Sequence, residues 1–161
     1  MTAEEFNKCV DLYADNLYRF ILKNIKDAEK ARDIVQDTYE KLWLKVSDVE
    51  STNAKSYMFQ TAYRTMLDKI KKEKRQTTMT VAAENKLVHT GQYSDIKEVL
   101  SEALTKLPDI QRSVIMLRDY EGYSYSDIAE ITGLNEGQVK VYIFRARGFL
   151  KNYIGAVENV I

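Results

Sequence analysis

Residues 124–147, SYSDIAEITGLNEGQVKVYIFRAR, decide how this chain is read. The stretch predicts a helix, a tight turn and a second helix whose basic charge gathers at its far end. Ser124 caps the first helix, with Asp127 three residues on as the returning carboxylate of a capping box. Ala129 is small where two helices must approach closely, and Gly133 tolerates the left-handed backbone that ends a helix. Asn135 then caps the next helix with Gln138 as its reciprocal partner, and Val139 stands where the second helix leans on the first. A small residue, a glycine and a branched apolar residue at these offsets fit a helix-turn-helix, which lays its second helix in the major groove of DNA. The same offsets occur at the corner of an ordinary helical hairpin, so the remainder of the chain has to separate the two.

With 161 residues, one proline and six glycines against abundant Leu, Ala, Lys and Glu, the composition predicts an all-α fold of one ordinary domain or two small ones. Hydrophobic residues make up 45% and charged residues 30%, the balance of a soluble globular protein. The start, MTAEEFNKCV, lacks the basic and apolar regions of a secretory signal, and no apolar run approaches the ~20 residues that cross a bilayer. A cytoplasmic protein without membrane insertion is expected. Cys9 is the one cysteine, so no intramolecular disulfide forms, and with one histidine no zinc cluster can be assembled. There is no phosphate loop or nucleophile elbow, and His89 sits in a polar segment. No enzyme, metal or cofactor is expected.

The formal net charge is zero, but its distribution is uneven. Residues 64–75 carry six cations (Arg64, Lys69, Lys71, Lys72, Lys74 and Arg75) against Asp68 and Glu73. Residues 138–151 carry four (Lys140, Arg145, Arg147 and Lys151) and no acid, while 95–136 is acidic. Either patch alone reads as a solvated helix face. Together with the helix-turn-helix they read as two footprints on a polyanion.

Helical spacing of apolar residues marks 6–25, 27–45 and 54 to about 72 as three helices of a first bundle, with Trp43 in or near its core. Gln76 to Tyr93 has no sustained period and reads as a linker, with a short helical turn near 82–87. Helices over 94–106 and 109–120, separated by Leu107-Pro108, join the helix-turn-helix in a second bundle of four. The expected organisation is two small helical bundles: 1–75, a linker over 76–93, and a helix-turn-helix domain over 94–161.

These residues resemble the extracytoplasmic-function sigma factors of bacteria. In the second half the resemblance rests on Ala103-Leu104, Leu107-Pro108, Gln111-Arg112, Tyr125, Asp127-Ile128-Ala129, Gly133, Val139-Lys140 and Arg145-Ala146-Arg147. In the first half it rests on 27–43, DAEKARDIVQDTYEKLW, similar to the segment by which such sigmas dock on polymerase. The helix over 56–75 resembles the one that melts the promoter and reads its minus-ten element. The chain departs from the family pattern with Arg64 for Asn, Tyr57 for Trp and Gln138 for Thr, changes that bear on promoter preference.

The resemblance implies a protein without bond chemistry of its own, which binds core RNA polymerase, directs it to promoter DNA and is a monomer in the holoenzyme. The family is often held inactive by an anti-sigma protein. For the minus-35 element it implies Gln138, Lys140, Phe144, Arg145 and Arg147, with Phe144 against either the DNA or the core. For the minus-ten element it implies Asn53, Tyr57, Tyr63, Arg64, Lys69, Lys71, Lys72 and Arg75. Polymerase docking falls to Asp33, Gln36, Asp37 and Glu40. A stand-alone helix-turn-helix regulator with a dimerising or ligand-sensing N-terminal bundle is the rival reading, and the 27–43 segment argues against it.

Overall fold

The chain reverses direction between its first two helices within two residues, and each capping interaction there can be traced to a side chain. The computed structural model describes residues 1–77 and 96–160. Helix α1 (Ala3–Ile25) opens on a capping box: Thr2 Oγ1 accepts the Glu5 N–H at 3.1 Å, and the Glu5 carboxylate accepts the Thr2 N–H at 3.1 Å. That bond from the Thr2 backbone is the main cause that holds the Glu5 carboxyl below its usual range. α1 closes at Lys26, a non-glycine residue with φ 63° whose N–H returns to the Leu22 carbonyl. Asp27 at once caps α2 (Ala28–Leu44), its Oδ1 accepting the N–H groups of Glu29 and Lys30 at 3.0 and 3.1 Å. A 3-10 turn at Ser51–Asn53 leads into α3 (Ala54–Thr77), which runs past the expected end near Lys72 and carries the basic run as helix.

α1, α2 and α3 pack on one another around Leu17, Phe20, Ile21, Ile34, Leu42 and Met58, all fully buried. The expected place of Trp43 needs correction. The residue is 48% exposed, and its ring lies edge-on to Phe6 at 5.1 Å, outside the core. Neighbouring residues point ~100° apart on a helix, and Leu42 takes the inward direction.

The second bundle comprises α4 (Ile96–Lys106), α5 (Asp109–Ile115), α6 (Tyr125–Thr132) and α7 (Glu136–Val160). Pro108, with φ −54° and ψ 148°, stands directly before α5 rather than inside its first turn. α5 continues as a π turn over Met116–Tyr120. Gly122, with φ 74°, then reverses the chain with two nested bonds, each one residue wider than a Schellman pair because the preceding turn is π: its N–H bonds the Arg118 carbonyl at 3.2 Å, and the Tyr123 N–H bonds the Leu117 carbonyl at 3.0 Å. Most of the expected linker, with its short turn over 82–87 and His89, lies outside the described residues, as do Ser94 and Asp95.

The fold is all-α with two helical bundles, as the periodicity predicts. Their mutual packing was not legible in it. α3 lies against α6, α1 touches α4 and α5, and the buried apolar side chains of both bundles join in one cluster.

Candidate nucleic-acid and polymerase interface

The helix-turn-helix forms from its caps. Ser124 Oγ accepts the Asp127 N–H at 3.1 Å to start α6, and Gly133, with φ 80°, ends it by returning its N–H to the Ala129 carbonyl. Asn135 Oδ1 accepts the Gln138 N–H at 2.8 Å, and Gln138 Oε1 accepts the Asn135 N–H at 3.1 Å. The amide oxygen of Gln138 is thus engaged in the cap of the helix that it was expected to help read DNA with.

Along α7, Val139, Ile143, Ala146 and Leu150 are buried at steps of four, three and four, one stripe against the rest of the bundle. The opposite side presents Lys140, Val141, Phe144 and Arg145, all exposed. Phe144 is 80% exposed, so its alternative place in the core is set aside. Arg147 is also exposed, but its guanidinium forms two hydrogen bonds to the Asp119 carboxylate. Tyr125 gathers two cations at its ring: Arg118 at 4.4 Å and Lys140 at 5.5 Å from the centroid. Arg118 and Val141 were missed in the sequence. Arg118 comes from α5's π turn, and only the fold sets it beside Lys140 of α7 at the Tyr125 ring.

In the first bundle, Asn53 and Tyr57 line a hollow of about 500 Å³ with Lys45, Asp48, Val49 and Glu50. On the other side of Tyr57 and Lys45 a groove of about 410 Å³ runs between α2 and α3, lined also by Lys41, Leu44, Thr61, Arg64, Thr65 and Asp68. Asn53, Tyr57 and Arg64 are therefore brought into two adjoining concavities. Lys41 and Lys45, one helical turn apart, enter this surface unannounced, because no pattern within α2 tells that α3 closes a groove beside them.

Tyr63 does not join them. It is 4% exposed, and burial holds its phenol above the ordinary range, so it is a core residue and not a surface for stacking a base. Tyr63 shares a helical stripe with Phe59 and Met66, which face inward, whereas Arg64 shares one with Tyr57, Thr61 and Asp68. Lys69 is half-buried and pairs with Asp37 at 3.5 Å, so one residue from each expected surface holds the other. Farther along α3, Lys71, Lys72, Lys74 and Arg75 are exposed, and Glu73 pairs with Lys30.

On α2 the buried positions are Ala31, Ile34, Val35, Thr38 and Leu42. Asp33, Gln36 and Glu40 lie exposed on the other side, with Asp37 at its edge against α3. No cluster of metal-ligating side chains exists among the described residues, and no described helix is long and apolar enough to cross a membrane.

Comparison with known proteins places this arrangement. The family profile of sigma-70 region 2 matches residues 9–76, and that of sigma-70 region 4 matches residues 97–150. The ECF RNA polymerase sigma factor SigM of Bacillus subtilis is 28% identical over 156 residues, covering 94% of each chain. The RNA polymerase sigma factor SigV of the same organism is 31% identical over 140 residues, covering 86% of this chain and 84% of SigV. Among solved structures, the sigma factor RpoE from Bartonella quintana, in complex with the anti-sigma factor NepR, superposes with a TM-score of 0.81 at 29% identity. That match covers 95% of this chain and 98% of RpoE. The two-bundle fold, the order of the two regions and these relatives identify a protein that directs transcription initiation: the chain belongs to the extracytoplasmic function (ECF) family of RNA polymerase sigma factors.

Proposed function

We propose that residues 1–75 dock on core RNA polymerase and hold the melted minus-ten element, that 76–93 link the halves, and that 94–161 read the minus-35 element. The observation that carries the reading is the outward face of α7, where Lys140, Phe144 and Arg145 stand exposed on a helix locked from behind by Val139, Ile143 and Ala146. This exposed face suits a recognition helix lying in a major groove, with cations for phosphates or guanine edges and an apolar ring for a thymine methyl. Arg147, held by Asp119, orients the helix and supplies charge near the backbone. Gln138 contributes chiefly through its cap.

In the first bundle, the hollow lined by Asn53 and Tyr57 takes an unpaired base, with Arg64 and Lys45 beside it for the strand's phosphates. Lys71, Lys72 and Arg75 extend this charge along α3. Lys69 acts through Asp37, as a tie between α3 and the docking helix. Asp33, Gln36 and Glu40 face the polymerase. On this reading the protein works in the cytoplasm, catalyses no bond chemistry itself, and enters the holoenzyme as a monomer. An anti-sigma protein holds it in reserve, as NepR accompanies RpoE. The rival stand-alone regulator gives way to the family assignment.

Run-off transcription with sigma-free core polymerase over a library of promoter fragments tests the division of labour. Tyr57→Ala removes one aromatic stacking surface, worth ~1–3 kcal/mol per base. Permanganate reactivity of melted thymines is expected to fall ~5-fold or more, while binding to core polymerase stays at the wild-type level. Undiminished reactivity would remove Tyr57 from the base site. The double variant Asp33→Ala/Gln36→Ala is expected to weaken core binding about tenfold, or ~1.4 kcal/mol, with the circular dichroism spectrum intact. Unchanged affinity in a fluorescence-anisotropy titration would move the docking surface elsewhere.

A further inference from the structure

The hollow lined by Asn53 and Tyr57 takes its shape from a loop that does little to hold itself. Among residues 45–53 only Val49 is buried. The loop's own bonds are backbone ones. The N–H groups of Asp48 and Val49 return to the Lys45 carbonyl at 2.9 and 3.2 Å, and the Asn53 N–H returns to the Glu50 carbonyl at 3.0 Å. The 3-10 turn at Ser51–Asn53 has no side-chain cap at Glu50. Yet this segment supplies most of the lining of the hollow: Lys45, Asp48, Val49, Glu50 and Asn53.

What steadies the loop comes from the head of α1. Phe6 meets the Trp43 ring edge-on at 5.1 Å, just before the loop begins. In its middle, the Met1 nitrogen donates to the Val49 carbonyl at 3.0 Å, at the one loop residue that is buried. Near its exit, the Ser51 hydroxyl reaches the Glu5 carboxylate. After the Thr2 backbone N–H, it is the next largest hydrogen-bonding cause that holds this carboxyl below its usual range. α1 also touches the 3-10 turn directly. Glu5 therefore serves two segments, closing the cap of α1 through Thr2 and tying the loop through Ser51. Ser51 does not itself line the hollow, so a contact to it acts on the path of the loop.

We propose that Glu5 and Phe6, at the head of α1, are positioning residues for the base site: they brace the loop over 45–53, at Ser51 and at Trp43, in the shape that forms the hollow. A loop that must be ordered as an unpaired base arrives subtracts the cost of that ordering from affinity, whereas a loop already held in place does not. The brace gives the surface position of Trp43 a use, as the abutment that Phe6 presses on. It also makes the head of α1, which lies outside the hollow, part of how tightly the melted strand is kept. The consequence for DNA rests on the reading of the hollow as a base site, whereas the bracing contacts themselves do not.

Amide hydrogen exchange of the full chain, without polymerase or DNA, reads the brace. In Glu5→Ala and in Ser51→Ala the amides of 48–53 are expected to exchange roughly 5-fold faster, the size of one lost hydrogen bond, with α2 and α3 unchanged. The double variant should be no faster than the faster single one, because both substitutions cut the same contact. Glu5→Gln keeps an acceptor oxygen for both partners and is expected to stay within about twofold of wild type. Holoenzyme assembled on core polymerase then reads the site, with a fork-junction promoter probe whose non-template strand is unpaired. Glu5→Ala and Ser51→Ala should each weaken probe binding roughly 5-fold, while affinity for core polymerase keeps its wild-type value. The held base is mapped as the position where Asn53→Ala abolishes the cost of removing the base. With an abasic nucleotide there, wild type and both variants should bind alike, an equality that a general loss of stability would not produce. Unchanged loop exchange in both single variants overturns the proposal. So does an effect of Glu5→Ala with none of Ser51→Ala, which is the pattern of a helix cap without a brace. Weak probe binding by Asn53→Ala beside wild-type binding by Glu5→Ala and Ser51→Ala also overturns it. Faster loop exchange with wild-type probe binding in all of them, Asn53→Ala included, would reject the base-site reading and leave the brace standing.

Discussion

Arg145→Ala is expected to lower initiation from a promoter with an intact minus-35 element by ~5- to 150-fold, the range set by ~1–3 kcal/mol for one well-placed guanidinium contact to a base. On a promoter whose minus-35 element is scrambled, the same substitution should cost little. Arg145 stands exposed on α7 one turn beyond Val141, and no carboxylate among the described residues is paired with it. Arg147 differs, because Asp119 already takes its guanidinium in two hydrogen bonds. Arg147→Ala should therefore weaken initiation more evenly across sequences, through helix positioning and lost charge. Transcription rates on matched and scrambled promoters separate the two. An Arg145 variant with equal losses on both templates would show that this residue holds phosphate and reads no base. Phe144 belongs to the same test: with the residue 80% exposed, truncation should leave stability nearly unchanged and act on DNA alone.

Phe59→Ala is expected to destabilise the protein by ~3–5 kcal/mol, the usual loss for a buried phenylalanine with the cavity that it leaves. For a chain of this size that corresponds to a fall in Tm of ~10 °C or more. Phe59 is fully buried and touches Phe20 of its own bundle at 5.7 Å and Tyr123 of the other at 5.5 Å between ring centres. Its loss therefore weakens a core and a seam together. Urea denaturation followed by circular dichroism would measure it, and a change below ~1 kcal/mol would contradict the packing described. A control at Trp43 sharpens the comparison. Trp43 is the larger residue, but its ring lies at the surface against Phe6, so Trp43→Ala should cost far less than Phe59→Ala.

What the chain wrote plainly into its sequence is everything decided within a few residues. The caps at Ser124 and at Asn135 with Gln138 are hydrogen bonds across three residues. The left-handed end at Gly133 follows from a missing Cβ, and the buried stripe of Val139, Ile143, Ala146 and Leu150 follows from 3.6 residues per turn. The same locality made the exposed positions of Lys140 and Arg145 on α7 and of Asp33, Gln36 and Glu40 on α2 legible before any packing was known, while Phe144 was left open between surface and core. It also misled where two adjacent residues compete for one direction. Tyr63 and Trp43 look like their neighbours in composition, and only the helix's azimuth against its partners sends one into the core and the other out of it.

Tertiary structure alone decided how charge is distributed among partners. Asp119 engages Arg147 across 28 residues, and Glu121 meets Arg19 across 102. Lys69 pairs with Asp37 because two helices happen to lie side by side. Electrostatic pairing depends on distances of a few ångströms, to which separation along the chain is no guide. For that reason the two-bundle plan of this sigma factor could be read from one line of letters, while the contact that closes the bundles on each other could not.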